Sequence, residues 1–198
     1  MSIIKNNKMK KIIIIGFIII TNLSCNAQQI IPIEKIIDYR RTETGLPEGL
    51  IYLKDVNNLL DKYVGIWKGT YDTKKYEFRI TKFTETRERV KEDILLIRYI
   101  ITEANGTEIE NTTMLPDNNY LVVRGDYIDR SSYLLTYIGK KGNCGQSGTI
   151  FISTSIKSNY NQMLLSLEPE QMLISAKDCP NGGAAQIIPK SQITLTKQ

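Results

Sequence analysis

Three cysteines and no histidine set the chemistry open to this 198-residue chain. Without an imidazole the commonest general base is missing, and with it nearly all Ser or Cys triads and most zinc or copper sites. Cys144 and Cys179 lie in turn-rich surroundings, Gly142-Asn143-Cys144-Gly145 and Asp178-Cys179-Pro180-Asn181-Gly182. Two separated cysteines do not make a structural zinc site alone. In an oxidising compartment they read as a disulfide, which on the chain-entropy account stabilises a fold by roughly 3–4 kcal/mol for a loop of this length. The rival reading, a reactive thiol, lacks a base to activate it. Cys25 is left as the odd cysteine.

Carboxylates are the remaining acid–base groups. A glycosidase needs two of them, roughly 5–10 Å apart across a cleft. Glu77, Glu103, Glu108, Asp126 and Asp129 are available, but each is explained more simply as a residue of a solvent face or turn. Asp126-Tyr127-Ile128-Asp129 lacks the oxygen-rich spacing of a calcium loop. Gly139-Lys140-Lys141-Gly142 and the glycines 142, 145 and 148 match neither the P-loop nor the dinucleotide fingerprint. The sequence therefore assigns no catalytic residue, no metal site and no cofactor, and it leans away from an enzyme.

The surroundings of Cys25 explain why it stands apart. Lys8-Met9-Lys10-Lys11 precedes Ile12–Ile20, nine uncharged residues, and then Leu23-Ser24-Cys25-Asn26-Ala27. A bilayer-spanning helix takes roughly 20 apolar residues, so this run fits the core of a secretion signal instead. Leu23-Ser24-Cys25 resembles the lipobox of bacterial lipoproteins, cut before a cysteine that then carries acyl chains. That reading makes residues 1–24 a signal peptide and Cys25 a lipidation site. It places the mature chain across the inner membrane, as a periplasmic or outer-membrane-anchored lipoprotein. The alternative cut, after Ala27, leaves a soluble secreted protein. The segment also holds four lysines and no acid, so its removal lowers the formal charge from +5 to about +1. No basic face for nucleic acid survives.

Past the signal, residues 25–54 read as a flexible tether, with Pro32, Gly45, Pro47 and Gly49 and no sustained period. Residues 55–198 form one domain. Asp55 followed by Val56, Leu59, Leu60 and Tyr63 has the cap and spacing of a short amphipathic helix. The period then drops to two. Tyr76, Phe78 and Ile80 alternate with polar residues, and Leu95, Ile97, Tyr99 and Ile101 share a face. So do Ile150, Ile152, Thr154 and Ile156, and then Met163, Leu165 and Leu167. The mixed-sign cluster Arg87 to Asp93 reads as a solvated loop. Asn105-Gly106, Pro116–Asn119, Gly125-Asp126, Ser158-Asn159, Glu168-Pro169 and Asn181–Gly183 punctuate the strands. The expected fold is all-β, an antiparallel meander of about nine or ten strands closed into a barrel. A two-sheet sandwich is the competing architecture.

Gly65-x-Trp67, opening the first strand after a helical turn, resembles the start of lipocalin-type barrels, which implies that Trp67 packs across the closed end. A second resemblance covers most of the mature chain. It runs through Gly65-x-Trp67-x-Gly69, Tyr133-x-Leu135-x-Tyr137-x-Gly139, Cys144-Gly145-Gln146-x-Gly148, Cys179 and Ile193-x-Leu195-x-Lys197. This order is similar to an uncharacterised family of small secreted Bacteroidota lipoproteins, a domain of unknown function. It implies an envelope location and supplies no activity. The functional expectation is a non-catalytic module that binds a small apolar ligand, with Tyr76, Phe78, Leu95, Ile97 and Tyr99 lining the barrel. A structural or protein-interaction module of the envelope is the alternative, and a carboxylate hydrolase stands behind both.

Overall fold

Period-two alternation from Gly65 onward does build a barrel. The computed structural model describes residues 28–198; the expected signal peptide 1–24 and the expected lipidation site Cys25 lie outside them. The strands are β1 (Gln29–Pro32), β2 (Ile51–Lys54), β3 (Gly65–Tyr71), β4 (Lys74–Arg87), β5 (Val90–Thr102), β6 (Glu108–Asn111), β7 (Val123–Asp129), β8 (Ser132–Ile138), β9 (Ser147–Thr154), β10 (Gln162–Pro169) and β11 (Ile193–Lys197). Nine of the eleven fall within 55–198, within the count the turn spacing predicts.

Eight strands close on themselves in the order β5-β4-β3-β11-β10-β9-β8-β7. The two seams are the antiparallel pairings of Thr196 and Lys197 with Lys68 and Trp67, and of Leu96 and Ile97 with Arg124 and Val123. Closure removes the edges that a sandwich would leave, which decides between the two architectures. Gly69 makes the first seam tight. A methyl group there would lie 2.7 Å from Leu195 Cδ2 and 2.8 Å from the Thr194 carbonyl oxygen.

Following the strands gives the barrel two ends. The lower end carries the β4–β5, β7–β8 and β9–β10 turns and the C-terminus; the upper end carries the β3–β4, β5–β6, β8–β9 and β10–β11 connections. Tyr76, Phe78 and Ile80 meet Leu95, Ile97, Tyr99 and Ile101 in one core with Trp67, Leu135, Ile152, Leu165 and Leu195. β5 is buried on its other face as well. Ile94 and Leu96 pack with Val122, Phe83 and Leu115, so the run Ile94-Leu95-Leu96-Ile97 serves two clusters.

Four sequence expectations are corrected. The stretch expected to be a flexible tether joins the sheet at Gln29–Pro32 and again at Ile51–Lys54. β1 pairs in parallel with β2, and β2 in parallel with the start of β5. Ile31, Ile33, Ile36, Ile51 and Leu53 are each at most 4% exposed. Parallel partners lie far apart in sequence, so no local period announces them. The short α-helix that precedes the barrel is α1 (Ile36–Arg40), not Asp55–Tyr63. There the chain makes turns and a single 3-10 turn at Asp61–Tyr63. Asp55 still caps, accepting from the backbone N–H groups of Leu59 and Leu60 at 2.7 and 3.1 Å, but Val56 points outward. Finally, the Arg87–Asp93 cluster is the tip of the long β4–β5 hairpin, and Ile156 lies past the end of β9 and is 78% exposed.

Candidate functional site

The five residues expected to line a cup come together inside the barrel, each at most 4% exposed. They fill it. Tyr76 lies 6.2 Å from Phe78 between ring centroids, and Phe78 lies 6.3 Å from Tyr99. Tyr99 donates its hydroxyl to the buried Glu110 at 2.6 Å, and burial together with this carboxylate drives its pKa far above the ordinary tyrosine value. Tyr133 closes the lower side, its hydroxyl accepting from Leu95 N–H at 3.2 Å. Trp67 is fully buried and donates its indole N–H to the Tyr63 carbonyl at 2.7 Å, beneath the Lys197 ammonium at 5.2 Å from the ring. Arg98 faces outward, donating to the Leu115 carbonyl at 2.9 Å and to Asp117 at 2.5 Å.

Tyr76 differs from the other four because it also reaches the upper end. One cleft of about 440 Å³ runs over β3, β4 and the end of β5 and is walled by Lys68, Thr70, Lys75, Tyr76, Glu77 and Thr102. A second, of about 380 Å³, opens beside the β3–β4 turn and is walled by Tyr71, Lys74, Tyr76, Ile187, Pro189 and Lys190 among others. The same tyrosine stands in both walls, and burial pushes its hydroxyl up to about 12. Glu77 is partly occupied by its neighbours, at 3.2 Å from Lys68 and 2.7 Å from Arg79. Burial would raise its pKa, but these two cations outweigh burial and hold it below the usual glutamate value. Lys74, Lys75 and Lys190 make no ion pair among the described residues; with Glu77 set against Lys68 and Lys75 in the first cleft, and Asp72 against Lys74 and Lys190 in the second, each cleft lining carries a single net positive charge.

The β10–β11 connection is fixed over this end. Cys144 and Cys179 are bonded, with Cα atoms 5.7 Å apart. Ala184 N–H donates to the Cys144 carbonyl at 2.7 Å, and Gln146 Nε2 to the Ala185 carbonyl at 2.9 Å. Within the same loop Met172, Leu173 and Ile174 are 41%, 100% and 40% exposed.

The carboxylates do not assemble a general acid and its partner. Asp126 and Asp129 are ion-paired to Arg40 and Arg41, and Glu108 accepts from Asn111 at 2.9 Å. A cleft of about 510 Å³ at the ends of β8, β9 and β10 holds Glu168 and Glu170, both exposed. A glycosidase acid needs burial to stay protonated near neutral pH. Glu92 has that environment. It lines a pocket of about 180 Å³ under α1 with Ile36, Tyr39, Arg40, Leu46, Leu53 and Val90. Burial, reinforced by Asp126, raises its pKa to about 7. No second carboxylate lines that pocket. Sequence reasoning missed Glu92 because it sits among alternating charges, where nothing separates a half-buried acid from a solvated one.

Among the described residues no three His, Cys, Asp or Glu side chains group to hold a metal ion, and no helix is long and apolar enough to cross a membrane. A family profile described as a family of unknown function, DUF6705, matches residues 9–198. Neither a curated protein nor a solved structure gives a significant match.

Proposed function

The chain belongs to the DUF6705 family, and from that premise we propose that it is a non-catalytic binding module of the bacterial envelope, anchored through lipid on Cys25, that takes a small amphipathic anion at the upper end of its barrel. The observation that carries this reading is the placement of Tyr76. Of the expected ligand-lining set, Tyr76 walls two surface clefts and stands between them. The rest of that set is consumed by the core. An apolar cup inside the barrel therefore gives way to a rim site. Tyr76 and Ile187 supply apolar contact, while Lys74, Lys75 and Lys190 favour a carboxylate, sulfate or phosphate head. The absence of a histidine and the scattering of the carboxylates argue against catalysis.

Calorimetric titration of the protein with dodecanoate, a minimal amphipathic anion, tests the reading. Saturable binding is expected, and Lys75→Glu is expected to weaken it about ten-fold or more, the loss of roughly one charge contact. Absence of saturable binding, or binding that Lys75→Glu leaves unchanged, refutes it. A second reading has its own observation: Met172, Leu173 and Ile174 present an exposed apolar tip beside the disulfide, which suits contact with another envelope protein. In that case Leu173→Ser removes the contact and leaves dodecanoate binding untouched.

A further inference from the structure

The sequence suggests a long flexible linker between a lipid on Cys25 and the folded domain, but the chain enters the sheet at Gln29. Four residue steps separate Cys25 from Gln29, and at full extension they reach only about 14 Å. β1 begins beside Ile51, which pairs with Val90 at the lower end of the barrel. A lipid at Cys25 thus holds the lower end close against the bilayer. The upper clefts then open away from the membrane.

The surface beside that attachment point is suited to such proximity. β1, β2 and β5 lie side by side, and their register sets Ile30, Tyr52 and Lys91 in one row across the sheet. Lys54 follows two residues after Tyr52 on the same face, and Leu50 precedes it by two. Ile30 is 54% and Leu50 49% exposed. Tyr52 is held upright by its hydroxyl, which donates to Asp93 at 2.9 Å. Its ring carries two ammonium groups, Lys91 Nζ at 4.6 Å and Lys54 Nζ at 5.7 Å from the centroid. Neither lysine makes an ion pair with an acid among the described residues. Exposed apolar side chains, an aromatic ring and free lysines on one face are the composition of an interfacial membrane contact.

We propose that this face, made by Ile30, Leu50, Tyr52, Lys54 and Lys91, docks on the surface of an anionic lipid bilayer and fixes the barrel's orientation on the membrane. The proposal rests on the lipid-anchored reading, because the short tether is what keeps the face at the bilayer. The two lysines meet the phosphate layer, and Ile30 and Leu50 enter the boundary with the acyl chains.

Spin labelling tests it with the full processed chain. Cys144 and Cys179 are bonded, and a lipidated Cys25 has no free thiol, so a cysteine introduced at Ile30 or Leu173 is labelled uniquely. The protein is reconstituted on vesicles of phosphatidylcholine, with or without about a third phosphatidylglycerol. The expected result is that, on the anionic vesicles, the Ile30→Cys label is shielded from a water-soluble nickel reagent and reached by oxygen. The label should return toward water on neutral vesicles, or when Lys54→Gln and Lys91→Gln are added. The Leu173→Cys label should stay in water throughout. Equal water access of the position-30 label on both vesicle types, or deeper burial at position 173, overturns the proposal. Mass analysis of the N-terminal peptide of the same preparation reads the anchor separately. If that peptide carries no lipid, the anchor reading fails and the face is judged by flotation of the unlipidated chain. Salt-sensitive flotation on anionic vesicles that is lost with the two lysine changes supports the docking face, and no flotation overturns it.

Discussion

Replacing Glu92 by Gln should stabilise the protein above neutral pH and not below about pH 5. Glu92 sits under α1 against Ile36, Leu53 and Val90, and its pKa is raised from the ordinary 4.5 to about 7. Burial is the largest cause, and Asp126 and Glu85 add repulsion. The two nearby cations help little because each is engaged elsewhere, Arg40 by Asp126 and Arg87 by Glu85 at 2.6 Å. Because the folded pKa is the higher one, the folded state holds a proton that the unfolded state has released between about pH 4.5 and pH 7. Stability contributed by the neutral acid is complete below the unfolded pKa and is lost as pH rises through the folded one. A shift of this size corresponds to about 3 kcal/mol at the upper plateau. Glutamine keeps the shape and cannot ionise. Thermal unfolding of both proteins across this range should show the glutamine variant gaining steadily above pH 5, by about 6–12 °C at pH 8. An offset that is the same at pH 5 and pH 8 would mean that Glu92 ionises normally and that its burial does not hold the proton.

Other consequences concern the barrel and its clasp. Replacing both Cys144 and Cys179 with serine removes a crosslink over a separation of 35 residues and should lower stability by about 4 kcal/mol, read as a drop in urea midpoint; an unchanged midpoint contradicts this. Gly69→Ala sets a methyl group against Leu195 and the Thr194 carbonyl at the β3–β11 seam and should cost about 1–3 kcal/mol. Faster amide exchange should then concentrate in β11, and uniform exchange across all strands would count against a local seam. Trp67→Phe orphans the buried Tyr63 carbonyl and leaves a void, a loss of about 2–4 kcal/mol in chemical denaturation. A loss under 1 kcal/mol would mean that the indole bond is replaced by water.

The barrel was legible because its strands carry their own pattern. Met163, Leu165 and Leu167 alternate cleanly and are all buried, and Ile193 and Leu195 do the same in β11. Asn105-Gly106 does mark a reversal, with Gly106 at φ 89° between β5 and β6. What failed to show depends on distant partners. Ile51 and Leu53 look like an isolated apolar pair until β5 comes alongside in parallel. Asp55 announces a helix, yet its carboxylate is also held by Lys82 at 2.8 Å, and the chain turns instead. At the candidate site the interior set was visible from alternation alone. That Tyr76 reaches the rim depends on where the β3–β4 turn and the 185–191 segment pass, which no periodicity encodes.

The most direct test of the rim-site account is an amide and methyl chemical-shift map during titration with dodecanoate. Saturable shifts are expected at Thr70, Lys75, Tyr76, Thr102 and Ile187 around the two upper clefts, with the interior methyls of Leu95 and Ile97 unmoved. Shifts centred on Leu95 and Ile97, or no saturable shifts at the upper end, would contradict it.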